Sequence, residues 1–111
     1  MNVKDVYHAV CLAAPDIETV RFFAYLREGL LSLRNLYDNV EYEQDLRYYE
    51  DEIGINPYYL DAIAAYILMK NASDADFYNK YKTEFYELGR AANLKIIRER
   101  KPGRLYAPEF R

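Results

Sequence analysis

Phe22-Phe-Ala-Tyr-Leu-Arg-Glu-Gly-Leu-Leu-Ser-Leu-Arg-Asn-Leu-Tyr37 decides the fold class. With Val20 ahead of it, the apolar residues Val20, Phe23, Leu26, Leu30, Leu33 and Tyr37 step by three or four. That spacing marks a helix with a seam for lengthwise packing on other helices. From residue 16 to 37 it predicts the clearest helix of the chain, capped at its start by Asp16. Ile17, Phe22, Leu31 and Leu36 broaden its apolar face beyond what one small domain easily covers, which points to a partner. Gly29 in its middle costs up to about 1 kcal/mol against Ala, so close packing or a bend is expected there.

The flanking segments read as helices too. Val3, Val6, Tyr7, Val10 and Cys11 share one face of a segment that Asn2 can cap. Asn56-Pro57 is a helix start, with Asn as cap, Pro at the first position, and Ile55 and Leu60 at staple spacing. Leu60, Ile63, Ala64, Ile67 and Leu68 then line one face as far as Asn71. Ser73-Asp-Ala-Asp76 is a capping-box variant with Ala72 and Phe77 at the staple positions. It starts a helix whose stripe is Phe77, Tyr81, Phe85, Leu88 and Ala92. The short connection predicts an antiparallel pair.

Residues 38–56 leave two readings open. Val40, Tyr42 and Gln44 alternate with Glu41, Glu43 and Asp45, the period of a short strand or extended loop. Asp45 to Ile53 equally accommodates one or two turns of helix. The expectation is thus an all-α fold. It is a small helical bundle with one long central helix, a C-terminal antiparallel helix hairpin and an extended C-terminal arm. Residues 1–100 form the helical domain and 101–111 the arm.

Composition limits the chemistry. At 111 residues the chain has the size of one domain. Thirteen tyrosines and no tryptophan favour half-buried seams and interfaces. Cys11 is the lone cysteine and is expected as a small buried hydrophobe, which excludes an internal disulfide. Residues 1–15 do not read as a signal peptide, and no run approaches the ~20 apolar residues of a membrane span. A reducing cytoplasm is the expected compartment of synthesis.

His8 has no second His or Cys nearby and is expected to be structural or on the surface. The acids Asp38, Glu41, Glu43, Asp45, Glu50, Asp51 and Glu52 lack the offsets of a calcium loop, since Gly54 follows them. They read as a solvated, mildly repulsive loop. Asn71-Ala-Ser73 fits the glycosylation pattern but reads only as a helix boundary. There is no Gly-rich phosphate loop and no serine elbow. No enzyme, cofactor or metal is expected.

Charge is unevenly placed. Residues 1–89 hold 16 Asp/Glu against 8 Lys/Arg, and residues 90–111 hold 2 against 7. An acidic body thus carries a basic end. Arg90, Lys95, Arg98, Arg100, Lys101, Arg104 and Arg111, with Tyr106 and Phe110, have the composition of a phosphate-binding and base-stacking tail. Cations at a helix end also complement its dipole without further function. Docking on a protein is preferred, because Leu105, Tyr106, Pro108 and Phe110 place apolar anchors among the charges. The expected docking residues are Arg98, Arg100, Lys101, Arg104, Leu105, Tyr106 and Phe110.

The order of segments resembles the small all-helical head–tail connector (head-completion adaptor) proteins of tailed bacteriophages. The likeness lies in the stretch from Phe22 to Tyr37 after a short first helix. It continues in Pro57-Tyr-Tyr-Leu-Asp-Ala-Ile-Ala-Ala-Tyr-Ile-Leu-Met-Lys70 and the helix from Phe77 to Asn93. The acidic stretch 38–56 departs from that pattern. The resemblance implies a virion protein of the neck, assembled in the host cytoplasm, that forms a ring of identical subunits, twelve in number, under the portal. Its partners would be portal and tail proteins, with DNA passing through the channel without specific binding. The alternative class is a small helical nucleic-acid-binding or regulatory protein using the basic C-terminus.

Overall fold

The computed structural model describes the backbone of residues 1–109 and the side chains of residues 1–100. Among them the fold is all-helical, with α1 (Val3–Cys11), α2 (Thr19–Leu36), a 3-10 turn (Pro57–Tyr59), α3 (Leu60–Asn71) and α4 (Ala75–Glu109). No strand forms among the described residues; an isolated antiparallel bridge joins Asn2 to Glu52.

The first helix begins as its sequence demands. Asn2 accepts the Asp5 amide at 3.0 Å, and the Asp5 carboxylate accepts the Asn2 amide at 2.9 Å. This reciprocal box satisfies two donors that would otherwise lack partners. Val3, Val6 and Val10 are fully buried, while Tyr7 and Cys11 are half-buried and His8 is exposed. Cys11 therefore sits at the edge of the core, less deep than expected.

The second helix starts later than its pattern predicts. Asp16 does not cap it; the N-cap is Glu18, which makes no side-chain capping bond. A turn closed by the Ile17 amide on the Ala14 carbonyl at 3.3 Å tucks Ile17 into the core first. Phe22, Phe23, Leu26, Leu30 and Leu33 are buried, but Val20, Leu31 and Leu36 remain on the surface. The broad apolar face thus divides into a buried part, including Ile17 and Phe22, and an uncovered remainder.

The hub is α3, not the long α2. Ala62, Ile63, Ala64, Ala65, Ile67 and Met69 are all buried, so this helix is enclosed on nearly every side. Helices α1, α2 and α4 all pack on it. Its start is the expected one: Asn56 Oδ1 accepts the Tyr58 amide at 2.9 Å ahead of Pro57–Tyr59. Tyr58 near its start meets Lys95 and Glu99, whereas Tyr66 farther on meets Phe85. Helix α4 therefore runs back along α3.

Asp74, not Ser73, supplies the cap of α4, accepting the Phe77 amide at 2.9 Å. Phe85, Gly89, Ala92 and Ile96 face the core, while Phe77 does not. The bounds of α4 include Pro102, Gly103 and Pro108, which the sequence places in an extended arm. A proline removes one backbone donor and crowds the preceding turn, but the helical ladder can resume beyond it with a kink.

Residues 38–56 form neither strand nor helix. They make an ordered strap along α2 that tucks Val40, Tyr42, Leu46, Ile53 and Ile55 inward. Arg34 Nη1 donates to the Tyr42 carbonyl at 2.9 Å and Arg27 Nη1 to the Leu46 carbonyl at 3.4 Å. Val40 and Tyr42 alternate inward as their period of two predicts, but Gln44 is exposed. Its amide instead ties the strap to itself, donating to the Glu52 carbonyl at 2.9 Å and accepting the Gly54 amide at 2.7 Å.

Gly29 marks close packing. A Cβ there would lie 3.0 Å from Tyr66 Cδ1 and 3.2 Å from Cγ. Gly29→Ala should be near neutral in urea unfolding, because a helix-propensity gain of up to about 1 kcal/mol offsets the crowding. Gly29→Val adds bulk to the α2–α3 seam and should lower stability by about 1–3 kcal/mol in the same measurement.

Candidate docking surface

Two features meet where α4 leaves the body. The first is the acidic strap. Its end is held by Asp51, whose carboxylate accepts the Arg47 amide at 2.8 Å and the Tyr48 amide at 2.9 Å. These two backbone bonds hold the Asp51 carboxyl below the ordinary carboxylate range, because they favour the charged form. The strap is pinned to α1 by the Val3 amide on the Asp51 carbonyl at 2.9 Å and the Lys4 amide on the Tyr49 carbonyl at 2.8 Å. Glu41, Glu43, Asp45, Glu50 and Glu52 stay exposed on its outer side. The strap is more tightly tied than a freely solvated acidic loop.

The second feature is the basic end of α4. Ala92 and Ile96 are buried and anchor it. Lys95 Nζ lies 4.2 Å from the centre of the Tyr58 ring, a cation–π contact. The Tyr58 hydroxyl donates to the Glu99 carboxylate at 2.6 Å, and this bond holds the phenol proton more firmly than usual. Asn93 accepts from Asn39 Nδ2 at 2.6 Å, and Asn39 in turn accepts from the fully buried Tyr59 hydroxyl at 2.7 Å. Burial pushes the Tyr59 phenol up in pKa. The chain of three side chains joins the strap to the 3-10 turn ahead of α3 and to α4.

Of the expected docking residues, Arg98 and Arg100 are exposed on this last described stretch of α4. Arg100 lines a shallow cleft of about 350 Å³ with Asp38, Asn39, Asn93 and Ile97. None of the ion pairs among the described residues involves Arg90, Lys95, Arg98 or Arg100. The side chains of Lys101, Arg104, Leu105 and Tyr106, and the whole of Phe110, lie outside the described residues. The structure thus brings Arg98 and Arg100 to one end of the body, puts the backbone of Lys101, Arg104, Leu105 and Tyr106 on the continuation of α4, and does not describe Phe110.

Sequence patterns missed the Tyr58–Lys95–Glu99 clip. Its signal is the i, i+4 spacing of Lys95 and Glu99 on one helix face, which becomes legible only once Tyr58 is known to lie beneath it. Among the described residues no group of three or more His, Cys, Asp or Glu is gathered as for a metal ion. No helix among them is long and apolar enough to cross a membrane. Comparison with known proteins finds no matching family model, no matching curated protein and no matching solved structure.

The lowered pKa of Asp51 sets a pH dependence. Its contribution to stability is fully present above its unfolded value near 4 and is lost as pH falls through the lower folded value. Thermal melts of Asp51→Asn should therefore lie below those of the parent at neutral pH, with the gap closing in strong acid. The clip sets a local prediction. Tyr58→Ala should speed amide exchange over residues 95–100 while leaving the global melting transition nearly unchanged, because the contacts it removes are on the surface.

Proposed function

We propose that this protein is a structural assembly protein of a tailed-phage virion, a head–tail connector that oligomerises into a ring under the portal and docks through its C-terminal arm. The observation that carries this reading is the end of α4. Arg98 and Arg100 stand exposed and outside any ion pair among the described residues. They lead directly into Lys101-Pro-Gly-Arg-Leu-Tyr-Ala-Pro-Glu-Phe-Arg111. Desolvating those cations against a partner's carboxylates, while Leu105, Tyr106 and Phe110 enter apolar pockets, gives both steering and affinity.

The rest of the molecule is consistent with a conduit part. The outward carboxylates of the strap would repel passing DNA and so keep it from adhering. The small all-helical body, with Leu31 and Leu36 uncovered on α2, leaves apolar surface for subunit contacts. In this reading the ring has twelve subunits, the partners are portal and tail proteins, no catalytic step occurs, and the particle is assembled in the host cytoplasm.

The test is deletion of residues 102–111. Truncated protein should fail to join purified portal assemblies in a co-sedimentation assay, while circular dichroism shows its helical body intact. Unchanged joining would sink the docking role of the arm. The rival nucleic-acid function makes a different demand. Tight DNA binding by the full chain, falling steeply as salt rises, would establish it and displace the connector reading.

A further inference from the structure

A cleft of about 410 Å³ lies between α2, α3 and α4. Sites for small molecules usually start at about 300 Å³ and set a few converging polar groups among aromatic walls. The aromatic part is present and firmly held. A Cβ at Gly29 would lie 3.0 Å from Tyr66 Cδ1, so the Tyr66 ring rests against the α2 backbone. Tyr66 meets Phe85 edge-on at 5.2 Å between ring centres, and Phe85 meets Tyr86 edge-on at 5.1 Å. Met69 is buried beside them. Rings fixed in this way cost little further ordering when something binds on them.

The polar part is unusual for this molecule. Ser32 and Asn35 enter the cleft from α2, Lys70 from α3, and Tyr78, Lys82 and Tyr86 from α4. At other seams such groups are spent on one another: Arg27 and Arg34 on strap carbonyls, Asn39 on Asn93 and Tyr59, Tyr58 on Glu99. In this cleft no side chain of the six makes a hydrogen bond or an ion pair among the described residues. Neither lysine lies over a ring, as Lys80 and Lys95 do. An ammonium can only donate, and phenols, the Ser hydroxyl and the Asn amide can all donate too. No acidic side chain lines the cleft. Glu28, Asp74, Glu84 and Glu87 lie on or beside the same helical stretches, yet none reaches ion-pair distance of Lys70 or Lys82. Asp74 is already taken up by the Phe77 amide. Residues 1–89 hold 16 Asp/Glu against 8 Lys/Arg, so a cleft whose only lining charges are two cations is the exception.

We propose that this cleft binds a small phosphate monoester carrying a flat ring, of the nucleoside monophosphate class. Such a phosphate brings a charge of about −1.5 to −2 and three strong acceptor oxygens. That matches two ammonium groups backed by hydroxyl donors. A carboxylate offers the same groups half the charge and one oxygen fewer. The flat ring of the ligand finds Tyr66, Phe85 and Tyr86, and stacking on aromatic side chains accepts any base because every base has a π-face. The site is separate from the C-terminal arm, since its lining ends at Tyr86.

The experiment is isothermal titration calorimetry of the full chain with adenosine 5′-monophosphate, ribose 5-phosphate and adenosine. The monophosphate should bind with a dissociation constant below about 1 mM, and the other two, each lacking one half of the ligand, at least about tenfold more weakly. Lys70→Gln and Lys82→Gln, both at exposed positions where folding should be untouched, should each weaken the monophosphate about tenfold, the loss of one charge-assisted bond. Lys80→Gln, on the same helix but outside the cleft, should leave binding unchanged, as should deletion of 102–111. A parent with no saturable binding below about 1 mM overturns the inference. So does adenosine or ribose 5-phosphate binding as tightly as the monophosphate. Binding indifferent to both cleft lysines, or lost on deletion of 102–111, overturns the cleft as the site.

Discussion

Everything in this fold leans on the enclosure of α3. Twelve residues long, it carries three alanines at consecutive or near-consecutive positions, Ala62, Ala64 and Ala65, all buried. Small side chains let neighbouring backbones approach, and the larger Ile63, Ile67 and Met69 fill what remains. A helix enclosed on nearly every side has little amphipathic contrast and cannot be stable by propensity alone at this length. It exists because α1, α2 and α4 cover it together. Gly29 on α2 seats the Tyr66 ring, and Gly89 on α4 lies against Tyr37, where an added Cβ would sit 3.3 Å from the ring and hydroxyl. The absence of a side chain at these two points sets how closely α2 and α4 approach their neighbours.

The tyrosines serve that enclosure at its rim. Tyr7 meets Tyr49 at 4.8 Å and Phe22 at 5.1 Å between ring centres, both edge-on, and Phe23 lies 5.3 Å from Tyr49. One aromatic group thus binds α1, α2 and the strap. Edge-to-face pairs of this kind add about 0.5–1.5 kcal/mol beyond the area they bury. Tyr59 is buried outright and can be so only because Asn39 accepts its hydroxyl bond. The excess of tyrosine is therefore largely a property of the fold's seams, with Tyr48 and Tyr78 among those left facing outward.

What could be read in the sequence follows from the range of the interactions involved. The Asn2 and Asn56 caps, the buried stripe Phe23, Leu26, Leu30 and Leu33, and the inward alternation of Val40 and Tyr42 depend on residues a few positions apart. The strap does not. Its course is fixed by Arg27 and Arg34, which reach from α2 to backbone carbonyls 19 and 8 residues away. No periodicity encodes such bonds, so strand, loop and helix all remained open there. Val20 fits the α2 stripe by spacing yet lies outside it, while Phe22 in the same first turn is fully buried. The candidate site divides in the same way. The clustering of cations after Arg90 is visible as composition, whereas the clip of Tyr58 on Lys95 and Glu99 requires two segments 37 residues or more apart to meet.

Charge and shape act along the same axis. Helix α4 begins among Asp74 and Asp76 and carries Arg90, Lys95, Arg98 and Arg100 toward its far end. Acids at the start and cations toward the end each favour the helix through its dipole. That explanation covers the sign of the charges but not the exposed Leu12, Val20 and Phe77 at the end where α4 begins, since the dipole makes no use of apolar surface. Nor does it account for Leu105, Tyr106 and Phe110 among the cations beyond Arg100. Solubility is poorly served by both. The dipole thus explains the order of the charges along α4 and leaves the exposed apolar groups to a different cause.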